Sequence, residues 1–145
     1  MGDYKMGELS YFLKENKVKR ENLKIAVTKS IVDENGVPVE WEFRALTTAE
    51  DEQLKESFIK ETKDKKGRVY HNVDRAAYFP AALARSCVYP NLNNAELQDS
   101  YGVRTAEDLL KKLVDLPGEY SKLVEEFAKY NGFDSEGADI EEAKN

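Results

Sequence analysis

Few residues of this chain are of the types that carry out catalysis, and their spacing does not assemble a site. The single histidine, His71, stands between Tyr70 and Asn72 in a predicted loop. A general base needs a nucleophile within hydrogen-bonding reach, and a metal ligand needs companion ligands at a suitable spacing. The neighbouring residues supply neither, so we interpret His71 as a solvated or hydrogen-bonded loop residue. A hydrolase built around His71 is the alternative.

The remaining candidate groups are one thiol and two pairs of adjacent carboxylates. Cys87 falls on the apolar stripe of a predicted helix with Leu83 and Val88, where a free cysteine behaves as a small hydrophobe; a reactive thiol is the alternative. Glu125-Glu126 and Glu141-Glu142 are neighbours, and neighbours on a helix point about 100° apart. No glycine-rich phosphate loop, nucleophile elbow or Cys-x-x-Cys motif occurs. We predict that the protein is not an enzyme and uses no catalytic residue, cofactor or metal.

The bulk composition is that of one folded domain. The 145 residues are 41% hydrophobic and 34% charged, which suits a single core. A net charge of −6 argues against a nucleic-acid partner, because phosphate binding needs clustered Lys and Arg. One cysteine excludes an intramolecular disulfide, and no signal core or stretch of about 20 apolar residues is present. We therefore expect a cytoplasmic protein that does not contact the membrane.

The acidity is concentrated at the C-terminal end. Residues 134–145 contain five acidic residues against Lys144 alone, a net charge of −4, which leaves −6 − (−4) = −2 for residues 1–133. Apart from Ile140 this segment lacks large apolar residues, so it cannot bury enough surface to offset the entropy of ordering. We predict three regions: an N-terminal helix and charged connector (1–22), one globular α+β domain (23–133), and an acidic, disordered tail (134–145).

The first half of the chain predicts a short helix followed by a β-hairpin. Leu9, Phe12 and Leu13 fall on one stripe of a helix from about Gly7 to Asn16. Apolar residues then alternate over 23–27 and 37–45, which predicts two strands. Asp33-Glu34-Asn35-Gly36 supplies the tight turn between them. Pro38 lacks a backbone donor, so the second strand begins at a sheet edge or after this residue.

The second half predicts helices. Thr47 and Glu50 form a capping box for a helix from Thr48 to about Thr62, which ends in a charged loop with Gly67 at its turn. Asp74 begins a helix through Val88 that Pro80 interrupts, and Asn93 and Thr105 cap two further helices. The last helix closes on Asn131-Gly132, with Phe133 folding back. The predicted fold class is α+β and predominantly helical, with an N-terminal helix and a β-hairpin followed by a compact bundle of short helices.

Several strings of residues together resemble one protein family. They are Val88-Tyr89-Pro90-Asn91-Leu92, the run from Ala95 to Val103, Leu109-Leu110-Lys111-Lys112-Leu113, Pro117-Gly118-Glu119-Tyr120 and Asn131-Gly132-Phe133. With Trp41-Glu42-Phe43-Arg44-Ala45 and Phe12-Leu13-Lys14-Glu15-Asn16 upstream, they are similar to the XkdN-like tail assembly chaperones of phages and prophages. The resemblance covers nearly the whole chain except the acidic tail.

The resemblance implies a chaperone without catalytic residues. Such a protein binds the tape measure protein of a tailed phage and keeps it soluble until tail tube subunits polymerise around it, and a longer, frameshifted form engages the tail tube protein. This chain resembles the short form. Binding of an amphipathic client implies an apolar groove between helices. The apolar residues of the short helices are the predicted contact residues: Leu9, Phe12, Leu13, Leu109, Leu113, Tyr120, Leu123 and Phe127.

Two other classes of protein are compatible with the residues. A structural tail or head-tail joining protein would remain in the virion, and a small regulatory adaptor would bind a host protein. The sequence leaves homo-oligomer formation open.

Overall fold

In a computed structural model, which describes residues 3–133, helices predominate and the strands form two small antiparallel sheets. This confirms the predicted α+β class. The helices are α1 (Asp3–Ser10), α2 (Thr48–Ser57), α3 (Arg75–Ser86), α4 (Ala95–Ser100), α5 (Ala106–Leu113) and α6 (Pro117–Tyr130), with a 3₁₀ turn at Lys14–Asn16. The strands are β1 (Leu23–Ala26), β2 (Glu40–Phe43), β3 (Ile59–Lys63), β4 (Val69–Val73) and β5 (Cys87–Tyr89).

The predicted hairpin is present as β1 and β2, which pair antiparallel with Ile25 opposite Trp41. The β2 strand begins at Glu40, after Pro38, as expected. Between the strands Gly36 has a positive φ of 79°, which glycine adopts without steric cost. Trp41 and Phe43 point into the core and Glu42 is only half-buried, so β2 presents alternate residues to the core.

The three-stranded sheet also contains β5, which the sequence analysis placed in a helix. The sheet has the order β1-β2-β5, and β5 runs antiparallel to β2 with Cys87 opposite Phe43. The helix predicted to reach Val88 therefore ends at Ser86. Pairing with β2, which is distant in sequence, overrides the helical apolar spacing.

A second hairpin, β3–β4, replaces the predicted end of the α2 helix, and the predicted charged loop forms its turn, where Gly67 has a positive φ of 82°. The capping box is confirmed, because Thr47 Oγ1 accepts from the Glu50 N–H and Glu50 accepts from the Thr47 N–H. The helix nevertheless ends at Ser57 rather than near Thr62. Ile59 pairs with Val73 and Glu61 with His71, so His71 lies on a strand and not in a loop. We call residues 59–73 the β-arm.

The core collects around α3. Tyr78, Phe79, Ala82 and Leu83 of this helix are buried together with Trp41 and Phe43 of the sheet. The helix continues through Pro80 with no fresh start, and Pro80 is buried. Packing in the core therefore outweighs the backbone hydrogen bond that a proline inside a helix removes. Asp74 is the N-cap residue, but its side chain caps no backbone N–H of the helix.

The last three helices begin and end at specific caps. Thr105 Oγ1 accepts from the Asp108 N–H, as predicted, whereas α4 is capped by Asn94 and not by the predicted Asn93. At the end of α6 the Phe133 N–H donates to the Ala128 carbonyl at 2.8 Å and Gly132 has a φ of 79°. This confirms the predicted fold-back of Phe133.

The N-terminal segment differs from the prediction. The helix over Gly7–Asn16 was wrong, because α1 ends at Ser10 and contains a non-helical Gly7, with a turn and the 3₁₀ segment after it. Ser10 Oγ donates to the Gly7 carbonyl at 2.9 Å, and Asn16 Nδ2 donates to the Ser10 carbonyl at 2.7 Å. A helix this short has little intrinsic stability, and these local hydrogen bonds fold the segment back on itself. The predicted disordered tail lies outside the described residues.

Candidate protein-binding surface

The residues whose side chains could take part in catalysis, His71 and Cys87, lie on different strands, β4 and β5. His71 is exposed on the β-arm, with Nε2 3.9 Å from a carboxylate oxygen of Glu61. Cys87 is half-buried; its Sγ donates to the Pro90 carbonyl at 3.3 Å, and burial raises the pKa of the thiol to about 12. A thiol with this pKa is protonated near neutral pH and is therefore a poor nucleophile. Within residues 3–133 no group of three or more His, Cys, Asp or Glu residues could hold a metal ion.

Four of the eight predicted contact residues are core residues. Leu109, Leu113, Leu123 and Phe127 are at most 5% exposed. A partner that binds the folded chain cannot reach them, so they are not contact residues for such a partner. A helical stripe has the same spacing whether it faces a core or a client groove, which is why the sequence did not separate the two.

Tyr120 is only partly accessible. It packs against the core, and its buried hydroxyl has no hydrogen-bond partner among the described residues. Burial raises the pKa of this phenol. A side chain in this position offers a partner little area, so Tyr120 is a weak contact candidate.

The other three predicted contact residues lie together on the surface. Leu9 is 76% exposed, Phe12 is 83% exposed, and Leu13 is exposed beside them. Tyr11 and Val18, which the sequence analysis did not single out, are also exposed. We call these five residues the N-terminal apolar surface. Tyr11 and Val18 lie outside the helical stripe of Leu9, Phe12 and Leu13, so only the density of apolar residues within 9–18 could have indicated them.

The N-terminal apolar surface is attached to the folded body through its connector. The Tyr130 hydroxyl donates to the Glu21 carbonyl at 2.6 Å. The guanidinium of Arg20 lies 5.3 Å from the centre of the Tyr130 ring and donates to the Tyr130 carbonyl. These contacts join residues more than a hundred positions apart, so the segment is held at the C-terminal end of α6.

The same end of α6 is fastened to the segment between β2 and α2. Asn131 Oδ1 accepts from the Leu46 N–H at 2.8 Å, while its Nδ2 donates to the Phe127 carbonyl at 3.0 Å. The connector and this junction together line a groove of about 650 Å³. Its cationic lining consists of Lys14, Lys17, Lys19 and Arg20.

The β-arm is a second exposed element. All of its strand residues except Val73 are exposed, including Ile59, Val69 and Tyr70. Its turn is built on Asp64, which accepts from the Lys66 and Arg68 N–H groups at 2.9 and 2.8 Å; these bonds hold the pKa of the carboxyl below its usual range. A two-stranded hairpin is marginally stable alone, and the arm packs on the core only near its base.

A second depression lies between β1 and α6. It has a volume of about 680 Å³ and is lined on one side by Ile25 and Val27 and on the other by Glu119 and Leu123. Glu119 in the first turn of α6 accepts from Thr28 Oγ1 at 2.7 Å and from the Lys29 N–H at 2.9 Å. These bonds lower the pKa of Glu119 and close one end of the sheet against the helix, which indicates a structural role.

Comparison with known proteins identifies the family. The model of phage XkdN-like tail assembly chaperone proteins matches residues 9–144. The chain belongs to this family. The chaperone match begins at Leu9, so it includes the whole N-terminal apolar surface.

Individual relatives agree with this assignment. The chain is 29% identical over 140 residues to the protein YqbN of Bacillus subtilis (strain 168), covering 96% of this chain and 93% of YqbN. It is 26% identical over 140 residues to the phage-like element PBSX protein XkdN of the same strain, covering 95% and 94%. A crystal structure of YqbN superposes with a TM-score of 0.70 at 22% identity, covering 87% of this chain and 97% of that one. The structural match shows that the two chains share a fold.

In this chaperone family member no helix of residues 3–133 is long and apolar enough to cross a membrane. The family match identifies a phage tail assembly chaperone. The burial of Leu109, Leu113, Leu123 and Phe127 leaves these residues inaccessible to a partner of the folded chain.

Proposed function

We propose that this chaperone binds the tape measure protein and keeps it soluble during tail assembly, in the cytoplasm of the host bacterium. One observation carries the proposal: Leu9, Tyr11, Phe12, Leu13 and Val18 place five large apolar side chains on the surface of one short segment. A concentration of exposed large apolar side chains in one segment is typical of an interaction site. Aromatic anchors such as Phe12 contribute most of the energy of many interfaces.

The form of the surface supports an elongated helical client. A tape measure protein presents apolar stripes along long helices, and the exposed apolar side chains of residues 9–18 pack against such a stripe. The segment does not occupy its own core, which is filled by Phe127, Leu109 and their neighbours. Client binding therefore need not unfold the chaperone.

The proposal is tested by coexpressing the chain with the tape measure protein of the same phage or prophage. We expect the client to remain in the soluble fraction and to co-purify with the wild-type chain. Substituting Leu9→Ser and Phe12→Ser should reduce the co-purified client about tenfold or more, since truncating two interface anchors costs at least about 1.4 kcal/mol.

A matched control separates loss of binding from loss of folding. Val37→Ser changes an apolar residue that is 55% exposed in the β1–β2 turn, far in sequence from the N-terminal apolar surface. We expect this variant to hold the client like the wild type, and all variants to show unchanged thermal unfolding. If the client aggregates in the presence of the wild-type chain, the proposed function is wrong. Copies of the chain in mature particles, in a fixed ratio to tail proteins, would instead support a structural component.

A further inference from the structure

The groove at the end of α6 is unusual for an acidic protein because its charged lining is entirely basic. Lys14, Lys17, Lys19 and Arg20 line it, and the stretch 14–20 carries four cations against Glu15, a net charge of +3. All seven residues of the stretch are exposed. Residues 1–133 as a whole have a net charge of −2 (−6 less −4), so this is a local reversal of sign.

These cations lack anionic partners within the described chain. No ion pair connects the four of them to a carboxylate of residues 7–133, the part of the chain with described side chains, although carboxylates elsewhere in that range pair with Arg44, Lys55, Arg68 and Lys129. Arg20 is directed to the neutral carbonyl and ring of Tyr130. Four like charges in a groove repel one another, and an acidic occupant would relieve that repulsion.

The groove also has an apolar part. Val18, which is 91% exposed, lines it together with Ala45 and Leu46. An occupant that matches both parts needs several carboxylates and at least one branched apolar side chain.

We propose that the acidic segment 134–145 of the same chain binds in this basic groove. The segment carries five carboxylates and a net charge of −4, and Ile140 is its large apolar residue. The segment starts three residues after Asn131, which itself lines the groove. Twelve residues span up to about 40 Å when extended, so the covalent connection permits binding.

The β-arm is the competing basic surface. Its residues 60–68 hold five cations against Glu61 and Asp64, also a net charge of +3. Arg68 there is already paired with Asp64 at 2.8 Å, and the two strands form a ribbon rather than a groove. The two surfaces therefore carry the same net charge but differ in geometry, and only the groove is lined by Asn131, close to the start of the segment.

Zero-length carbodiimide coupling of the full-length chain gives a direct test, because it joins a lysine amine to a carboxylate only when the two are in contact. We expect mass spectrometry to show Glu136, Asp139, Glu141 and Glu142 coupled to Lys14, Lys17 and Lys19. The arm lysines are the internal control. Coupling to the groove lysines should exceed coupling to the arm about tenfold, since several exposed ion pairs each add a few-fold preference.

Two further measurements keep the proposal falsifiable. The preference should fall strongly in 1 M salt, where the Debye length is about 3 Å. Ile140→Ser should reduce it at low salt without changing the charge. Coupling spread evenly over groove and arm lysines, or a preference for the arm, would overturn the proposal. So would coupling found only between isotopically labelled and unlabelled copies in a mixture, which would show that a second chain supplies the occupant.

Discussion

Replacing Glu50 should show how much one carboxylate contributes at the junction of β2 and α2. Glu50 Oε1 accepts from the Thr47 N–H at 3.0 Å and from Arg44 at 2.9 Å, and its Oε2 accepts from Arg44 at 2.7 Å. The side chain therefore completes the capping box of α2 and forms a two-pronged ion pair. The hydrogen bonds from Arg44, followed by the one from the Thr47 N–H, lower the pKa of Glu50 to about 2.

The magnitude follows from the two interactions. Loss of an N-terminal cap costs about 0.5–2 kcal/mol, and an exposed ion pair adds about 0.2–1 kcal/mol. Because the Arg44 side chain is 38% exposed, solvent screens the pair and we use the lower half of that range. We expect Glu50→Ala to lower the free energy of unfolding by about 1–2.5 kcal/mol. Glu50→Gln should cost about half as much, because its carbonyl oxygen still accepts from Thr47.

The pH dependence gives the sharper assay. The folded pKa of Glu50 lies below its ordinary value of 4.5, so its contribution is complete above about pH 4.5 and is lost as the pH falls toward about 2. Urea unfolding of wild type and Glu50→Gln should differ near neutral pH and converge near pH 2. Glu52→Gln, the same change at an exposed position of α2, controls for net charge. A constant wild-type to Glu50→Gln difference across this range would refute the assignment.

Three further outcomes follow from single contacts. Asn131→Ala leaves the Leu46 N–H without its acceptor, so the free energy of unfolding should fall by about 1–2 kcal/mol in urea titrations, and by less in Asn131→Asp. Cys87, with its raised pKa, should react with maleimide slowly in the folded chain and rapidly after denaturation in urea; equal rates would contradict the burial. Phe127→Ala should cost about 3–5 kcal/mol by thermal unfolding, whereas Phe12→Ala, at an exposed site, should change stability by less than about 0.5 kcal/mol.

Sequence predicted the elements whose signals are local. The Asn35-Gly36 turn, the Thr47 and Thr105 caps and the Gly132 end of α6 are each decided within four residues. Such features require only backbone hydrogen bonds and glycine geometry. The paired faces of β1 and β2 followed from alternation of apolar residues.

The errors lie where distant partners decide the conformation. Cys87–Tyr89 is a strand because β2 offers it an edge, and nothing in the local sequence records that edge. Ile59–Lys63 is a strand because it pairs with Val69–Val73 across the turn built on Asp64. In both cases pairing energy between strands exceeds the weak helical preference of a few residues.

The contact residues of the candidate site were predicted only in part, because contacts with distant residues decide which apolar side chains are buried. Periodicity identifies apolar residues but does not say what they contact, so Phe127 and Phe12 were equivalent before the fold was known. In the folded chain Phe127 is buried in the core beside Phe43, and the two ring centres are 6.3 Å apart. Phe12 has no contact of this kind in the core and is exposed on the surface.

The position of the N-terminal apolar surface separates two demands that a chaperone must satisfy together. Exposed apolar side chains promote client binding, but apolar surface inside a marginally stable domain promotes self-association when the domain opens. Here the exposed side chains of the N-terminal apolar surface precede β1 in the chain, while most of the buried ones belong to the sheet and to α3, α5 and α6. Arg20 and Asn131 connect the two parts by polar contacts. Changes at Phe12 should therefore alter client binding and leave folding intact, and changes at Phe127 should do the reverse.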